Sequence, residues 1–191
     1  MSHFTRLTHD MELSIVQYMQ QLGQGTVVDA LSQFISRMPF LGVLWVVIIV
    51  MLILRQRAKW KVVITSFALS AAVFFIISEW GLKHLFIGAI GFRERPYIAY
   101  AEKIMPIGAS FADTSFPSDH MASTLAMLTT LLFFIPGTRP FALVFALMMA
   151  FSRMHNGMHY PSDVAVGALL GIGYGLVGSW LARKIIKNKK A

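Results

Sequence analysis

The 191-residue chain has no cysteine, which excludes a disulfide framework and thiolate chemistry. Charge is also scarce. Only 14% of residues are charged, against about 25% in soluble domains. That shortage, with 56% hydrophobic residues and a mean hydropathy of +0.62, describes a membrane domain. Met1 to Asp10 is mixed polar and lacks a cleavable signal pattern. There is no internal repeat, low-complexity tract or interdomain linker, and the length fits one domain.

Five apolar runs are present: Met38–Leu54, Val62–Gly81, Met121–Pro136, Pro140–Phe151 and Val164–Ala182. A bilayer core about 30 Å thick needs about 20 helical residues, with about 17 tolerable. The fourth run is short and must extend into Ser152-Arg153. Lipid-exposed strands would leave backbone groups unpaired, and no alternating barrel pattern exists. The expected fold is all-α, a polytopic transmembrane bundle of about five spans.

The net charge of +8 is clustered. Arg55, Arg57, Lys59 and Lys61 form one group, and Arg183, Lys184, Lys187, Lys189 and Lys190 another. Each group follows an apolar run, which suits anionic lipid headgroups and not nucleic acid. Placing both groups inside the cell puts 83–117 and 153–163 together on the outer side. Trp60, Trp80 and Trp180 then fall at membrane interfaces. Residues 11–36 are too polar for a span, carrying Glu12, Asp29 and several glutamines. Val27, Val28, Leu31, Phe34 and Ile35 follow a helical period. One or two helices lying on the outer surface are expected; a sixth span is the alternative. The chain thus divides into an amphipathic interfacial segment, 1–37, and a membrane-embedded core with a basic cytoplasmic tail, 38–191.

The chemistry-bearing residues lie in three stretches. Phe116-Pro117-Ser118-Asp119 and Tyr160-Pro161-Ser162-Asp163 are near copies that precede apolar runs. Serine there suits an N-cap and aspartate the first turn, so both can be plain helix starts. At Ser118 a second reading is stronger: a helix N-terminus binds phosphate, and His120 follows two residues later. His159 and Asp163 are four apart, so a carboxylate can fix one imidazole nitrogen and free the other as a nucleophile. Arg153 can grip phosphate oxygens in a bidentate contact or snorkel at the membrane edge. His155 fits no pattern and is expected to be an interfacial residue. Arg93 and Arg95, around Glu94, add two cations on the same side. In so greasy a chain the phosphate is expected on a lipid.

Arg95-Pro96, Pro117-Ser118-Asp119-His120 and Ser152-Arg153…His159…Asp163 together resemble the three-part signature of the type 2 phosphatidic acid phosphatase family, over about residues 80–180. The third part matches at every fixed position. The second has Asp119 where the family commonly has glycine; with Ser115-Phe116 this resembles the bacterial undecaprenyl-diphosphate phosphatase branch. The first part departs from the pattern: the lysine position falls on Gly88, and Lys83 lies five residues too early. Either Lys83 reaches the site through a bulge in its helix, or Arg93 substitutes for its charge.

The resemblance implies that His159 is the nucleophile, Asp163 its orienting partner and His120 the general acid. It implies a phosphate clamp of Arg95, Ser118 and Arg153, with Arg93, Lys83 and Asp119 as further substrate-binding candidates. Asp119 beside a phosphate must pair with an arginine or be held away from the anion. No cofactor or metal is expected, since a surplus of arginines repels a cation. The implied activity is hydrolysis of undecaprenyl diphosphate to undecaprenyl phosphate and inorganic phosphate through a phosphohistidine, recycling the cell-wall carrier lipid. The implied location is the bacterial inner membrane, with the site facing the periplasm or exterior and the partners being the lipid substrate and the bilayer. Alternatives are a phosphatase for phosphatidylglycerophosphate, phosphatidic acid or lipid A, and a non-enzymatic anion-binding transport subunit. Five membrane-length runs argue against the soluble vanadate-dependent haloperoxidases, whose site is similar.

Overall fold

The structure is a computed structural model that describes residues 3–108 and 110–188, without the side chains of 3–9, 79, 80, 82, 83, 90 and 188. The expected roles of Trp80, Lys83, Lys189 and Lys190 therefore lie outside the described residues. The elements are α1 (His3–Gln21), α2 (Val27–Ile35), α3 (Met38–Arg55), α4 (Trp60–Phe74), α5 (Lys83–Ile90), α6 (Pro96–Ala99), α7 (Asp119–Phe134), α8 (Arg139–His155) and α9 (Pro161–Asn188). No strand occurs among the described residues. All five apolar runs are helical, and the fourth runs on through Ser152-Arg153 to His155 as its length required. Residues 38–55, 57–78 and 161–187 are long and apolar enough to cross a membrane. α7 and α8, with 16 and 17 residues, are slightly shorter.

The second span does not end at Gly81. Phe75–Leu82 is a π-helical stretch that joins α4 to α5. Such a stretch widens the turn and shifts the phase of the residues after it. It lies immediately before Lys83, where the departure from the family spacing occurs.

The bundle centre is α4, α7 and α9, with α3 against α4 and α8 against α7. Glycines bring α9 in close. A Cβ at Gly167, Gly171 or Gly175 would collide with the carbonyls of Ser118, Ala122 and Ala126 along α7. One at Gly178 would collide with Ser70 of α4. Small residues at four-residue spacing allow this approach without a hydrophobic drive between helices. Leu41, Met121, Leu128, Phe145, Met149 and Val164 fill the space between α3, α7, α8 and α9. Val43, Val50, Leu143, Leu147, Leu169 and Leu176 point outward and are exposed, as side chains facing lipid must be.

α1 and α2 pack on one end of the bundle, against α8, and α1 also touches α9. Leu13 and Val16 of α1 form a buried cluster with Tyr97 of α6 and Ile104, Met158 and Tyr160 of the loops. His155 corrects its expectation. It is fully buried, with Nδ1 at 2.8 Å from the Met19 carbonyl and Nε2 at 2.8 Å from Asp29 Oδ1. It joins α8 to both N-terminal helices and is no interfacial residue.

Gly171→Ala should lower stability in detergent by about 1–3 kcal/mol, the usual range for overpacking. At Gly173 nothing lies within 4 Å, so Gly173→Ala should be neutral or stabilising by helix propensity, by up to about 1 kcal/mol. Equal thermal-unfolding shifts for the two variants would contradict close α7–α9 packing.

Candidate active site

Four chain segments converge at the end of the bundle covered by α1 and α2. The first is the start of α7. Ser118 occupies its N-cap position and its N–H donates to the Asp163 carbonyl at 3.1 Å, tying α7 to α9. The Ser118 side chain makes no capping bond, and its buried Oγ has no hydrogen-bond partner among the described residues. α9 begins differently, although the tetrapeptides are near copies. Pro161 is its first residue, Ser162 the second and Asp163 the third. Asp163 Oδ2 accepts from the Tyr160 N–H at 2.8 Å, the half of a capping box in which a third-position carboxylate reaches back. Ser162 is thus no N-cap; its N–H donates to Glu12 Oε1 at 3.0 Å.

The second segment is the turn between α8 and α9. Gly157, at φ 71°, lets the chain fold back at the end of α8. The amides of Met158 and His159 then both donate to the Arg153 carbonyl, at 3.1 and 3.3 Å. A Cβ at Gly157 would stand 2.7 Å from the Ile104 side chain, so glycine is required on both counts. The turn buries His159 beside Arg153.

The third segment, 93–95, and the fourth, 111–115, complete the surround. The Ser115 N–H donates to the Arg93 carbonyl at 2.8 Å, which fixes the Ser115 carbonyl against His159 Nδ1 at 2.7 Å. A carbonyl only accepts, so Nδ1 carries the hydrogen and Nε2 keeps its lone pair. Arg95 Nη1 lies 3.2 Å from that Nε2 and 3.2 Å from the Met158 carbonyl. Burial, then the charges of Arg153 and Arg95, push the His159 imidazole well below its ordinary value of 6.5. His159 is held neutral, with its free nitrogen turned toward a guanidinium.

The expected His159–Asp163 hydrogen bond is not formed. Nδ1 and Asp163 Oδ2 are 3.8 Å apart, and the Ser115 carbonyl takes the orienting place. Asp163 is fully buried and is balanced by Arg93, whose Nη1 donates to Oδ1 at 2.5 Å. Arg93 also donates to Ser162 Oγ at 2.8 Å and to Glu12 Oε2 at 2.5 Å, and lies over the Tyr160 ring at 4.1 Å. Burial alone would raise the Glu12 carboxyl, but the bonds from Ser162 and the charge of Arg93 outweigh it and hold Glu12 below its ordinary value. Arg93 is thus a strut between α1 and α9, behind the site; a buried carboxylate needs such a partner.

A cavity of about 550 Å³ opens in front of His159. Arg95, Asp119, His120, Arg153 and His159 all line it. His120 Nε2 is 3.0 Å from the Ser36 carbonyl, so Nε2 carries hydrogen and Nδ1 is the nitrogen left for proton exchange. Arg153 is buried and its Nε has no partner among the described residues. Asp119 lies within electrostatic reach of Arg153 and accepts from Ser78 Oγ at 3.4 Å, so it does have an arginine to offset its charge. Arg95 Nη2 donates to Asp113 Oδ1 at 2.7 Å, and Asp113 also lines the cavity.

Of the expected site residues, five meet at the cavity, Ser118 lies buried at the α7–α9 junction, and Asp163 and Arg93 stand behind His159. Nothing in the sequence singles out Asp113, Arg37, Asn156 or Glu12. Ser32 Oγ donates to Asn156 Oδ1 at 2.7 Å, and Asn156 also lines the cavity. No short motif marks these contacts, which cross long stretches of chain; only the mixed charges of 93–95 and 113 hinted at a pair.

The arrangement can hold a phosphate between two guanidiniums, with a neutral imidazole on one side and a second imidazole able to exchange a proton. Residues 81–187, more than half of the chain, match the PAP2 superfamily. The chain is 30% identical over 137 residues to "Undecaprenyl-diphosphatase BcrC" of Bacillus subtilis, covering 61% of this chain and 70% of that protein. It is 41% identical over 73 residues to "Bacitracin transport permease protein BcrC" of Bacillus licheniformis; that match covers 38% of this chain and only 36% of the relative's length. It is 32% identical over 117 residues to "Putative undecaprenyl-diphosphatase YbjG" of Escherichia coli, covering 57% and 52%. The fold is similar to that of Aquifex aeolicus LpxE, with a TM-score of 0.63, 22% identity and 87% and 93% of the chains covered. It is also similar to a transmembrane PAP2-type phosphatidylglycerolphosphate phosphatase from Bacillus subtilis, with a TM-score of 0.65, 20% identity and 94% and 88% covered. The convergence of the three-part signature on one cavity and the match over residues 81–187 agree: the chain belongs to the PAP2 superfamily.

Proposed function

We propose that this chain hydrolyses undecaprenyl diphosphate to undecaprenyl phosphate and inorganic phosphate, without a metal, at the outer face of a bacterial inner membrane. The observation that carries the chemistry is the shared cavity: His159, His120, Arg95 and Arg153 line one space. Support for the substrate comes from relatives with undecaprenyl-diphosphatase names at 30% and 32% identity. Support for the orientation comes from charge. The turn at Arg57–Lys59 and the turn at Pro136–Thr138 lie at the end opposite the cavity, where Gln56 Nε2 donates to the Phe134 carbonyl at 3.3 Å. Arg183 lies there too, over the Phe133 ring at 4.1 Å. Basic residues gather on the cytoplasmic side of membrane proteins.

In the proposed reaction, Arg95 and Arg153 bind the terminal phosphate and neutralise its oxygens, the main requirement of phosphoryl transfer. His159 Nε2 attacks the phosphorus in line. The bond to the bridging oxygen breaks, its electron pair stays on that oxygen, and His120 supplies the proton; burial and then Arg153 push its imidazole well below its ordinary value, and the negative charge of the bound phosphate, by offsetting the arginines, raises it again. Water then attacks the phosphohistidine, giving up a proton to His120 and releasing inorganic phosphate and His159. Two guanidiniums supply the positive charge that a metal provides elsewhere.

Purified protein should release phosphate from a prenyl diphosphate in detergent, in the presence of EDTA, faster than from phosphatidylglycerophosphate or phosphatidic acid. His159→Ala should abolish release while folding is retained. His120→Ala should slow release by about 10²–10⁴-fold, the usual share of a general acid, with a smaller deficit on substrates with good leaving groups. Full activity in His159→Ala removes the mechanism, and faster turnover of another lipid removes the substrate.

The titration of His159 has a definite sign. A lowered imidazole stays neutral above its own midpoint, so the nucleophile survives down to below pH 6.5 and is lost by protonation only at lower pH. Nitrogen-15 NMR of histidine-labelled protein should give a His159 midpoint below 6.5; a midpoint above 6.5 contradicts the electrostatics described.

A further inference from the structure

The α2–α3 junction forms the cavity wall on the His120 side. Ser36, whose carbonyl accepts from His120 Nε2 at 3.0 Å, lines the cavity, and so do Arg37 and Met38 beside it. Arg37 is the N-cap residue of α3 and its side chain is exposed. The wall's other arginines have carboxylates nearby: Arg95 donates to Asp113, and Asp119 lies within reach of Arg153. Arg37 pairs with no carboxylate among the described residues.

We propose that Arg37 is a specificity residue, binding the second, lipid-proximal phosphate of a diphosphate substrate; this rests on the diphosphate reading above. In-line displacement puts the attacking atom and the leaving oxygen on opposite sides of phosphorus. With His159 Nε2 attacking and His120 at the leaving oxygen, whatever follows that oxygen lies on the His120 side, against residues 36–38. From a prenyl diphosphate the leaving group is a phosphate monoester, whose charge is −1 to −2 at neutral pH because its second ionisation falls at about pH 6. A monophosphate ester leaves as a neutral alcohol. A guanidinium at this wall therefore stabilises departure of the first leaving group and has no anion to meet in the second.

The test compares farnesyl diphosphate with farnesyl monophosphate as probes, using the full chain in detergent. Arg37→Gln should lower the diphosphate-to-monophosphate ratio of kcat/KM by about tenfold or more, the scale of a lost charge-assisted contact. Arg37→Lys should recover part of that ratio. An arginine that only anchors the α2–α3 junction or the membrane edge affects both probes alike, so an unchanged ratio in Arg37→Gln overturns the proposal. A wild-type protein that cleaves the monophosphate but not the diphosphate refutes the substrate reading itself, and that result needs no variant.

Discussion

The hydrogen bond from His159 Nδ1–H to the Ser115 carbonyl is the contact on which the site depends. It sets the tautomer, and with it the nitrogen that keeps a lone pair. Its own geometry is over-determined. The Ser115 amide is held by the Arg93 carbonyl, and the His159 amide by the Arg153 carbonyl. The Gly157 turn aims the ring inward, and the Ser118–Asp163 backbone bond clamps α7 to α9 beside it. The nucleophile proposed for this buried pocket needs one orientation, and main-chain groups fix the His159 ring where an aspartate was expected.

Charge placement follows from the same burial. Arg95, Arg153 and Asp163 are all buried, and a buried charge is tolerated only when balanced. The structure separates these ions into two groups. Arg93 bridges the carboxylates of Asp163 and Glu12 behind His159 and binds α1 to the first turn of α9. In front, Arg95 and Arg153 face a cavity whose walls also carry Asp113 and Asp119. Under the proposed mechanism an incoming phosphate competes with Asp113 for Arg95, an exchange that would keep the arginine partnered throughout. The N-terminal helices thereby serve the site. Glu12 steadies the strut, Gln20 donates to the Met105 carbonyl at 2.5 Å, and Ser36 bonds His120.

The all-helical bundle was readable because each span announces itself by a local apolar run. The cavity residues were readable because Arg95, His120, Arg153 and His159 sit in short motifs whose chemistry is visible in one dimension. What stayed hidden depends on pairings across long stretches of chain. The charge of Arg93 is plain in the sequence and points to the anion, while its partners Glu12 and Asp163 lie 81 and 70 residues away. His155 had no pattern because its partners belong to α1 and α2. The identical Pro-Ser-Asp triplets suggest equivalent helix starts, yet the registers differ: Asp163 reaches back to the Tyr160 amide, and the Ser162 amide goes to Glu12, 150 residues away. The glycines at 167, 171 and 175 did carry a four-residue spacing that could have located the α7–α9 seam.

The central claim is that the neutral Nε2 of His159 becomes covalently bound to phosphorus. Turnover on a prenyl diphosphate, quenched in alkali where phosphohistidine persists, followed by peptide mass spectrometry, tests it directly. The account predicts one phosphoryl group on the peptide containing His159, located on that histidine and lost when the quench is acidified. A phosphoryl group on another side chain, or sustained phosphate release with His159 never modified, would contradict it.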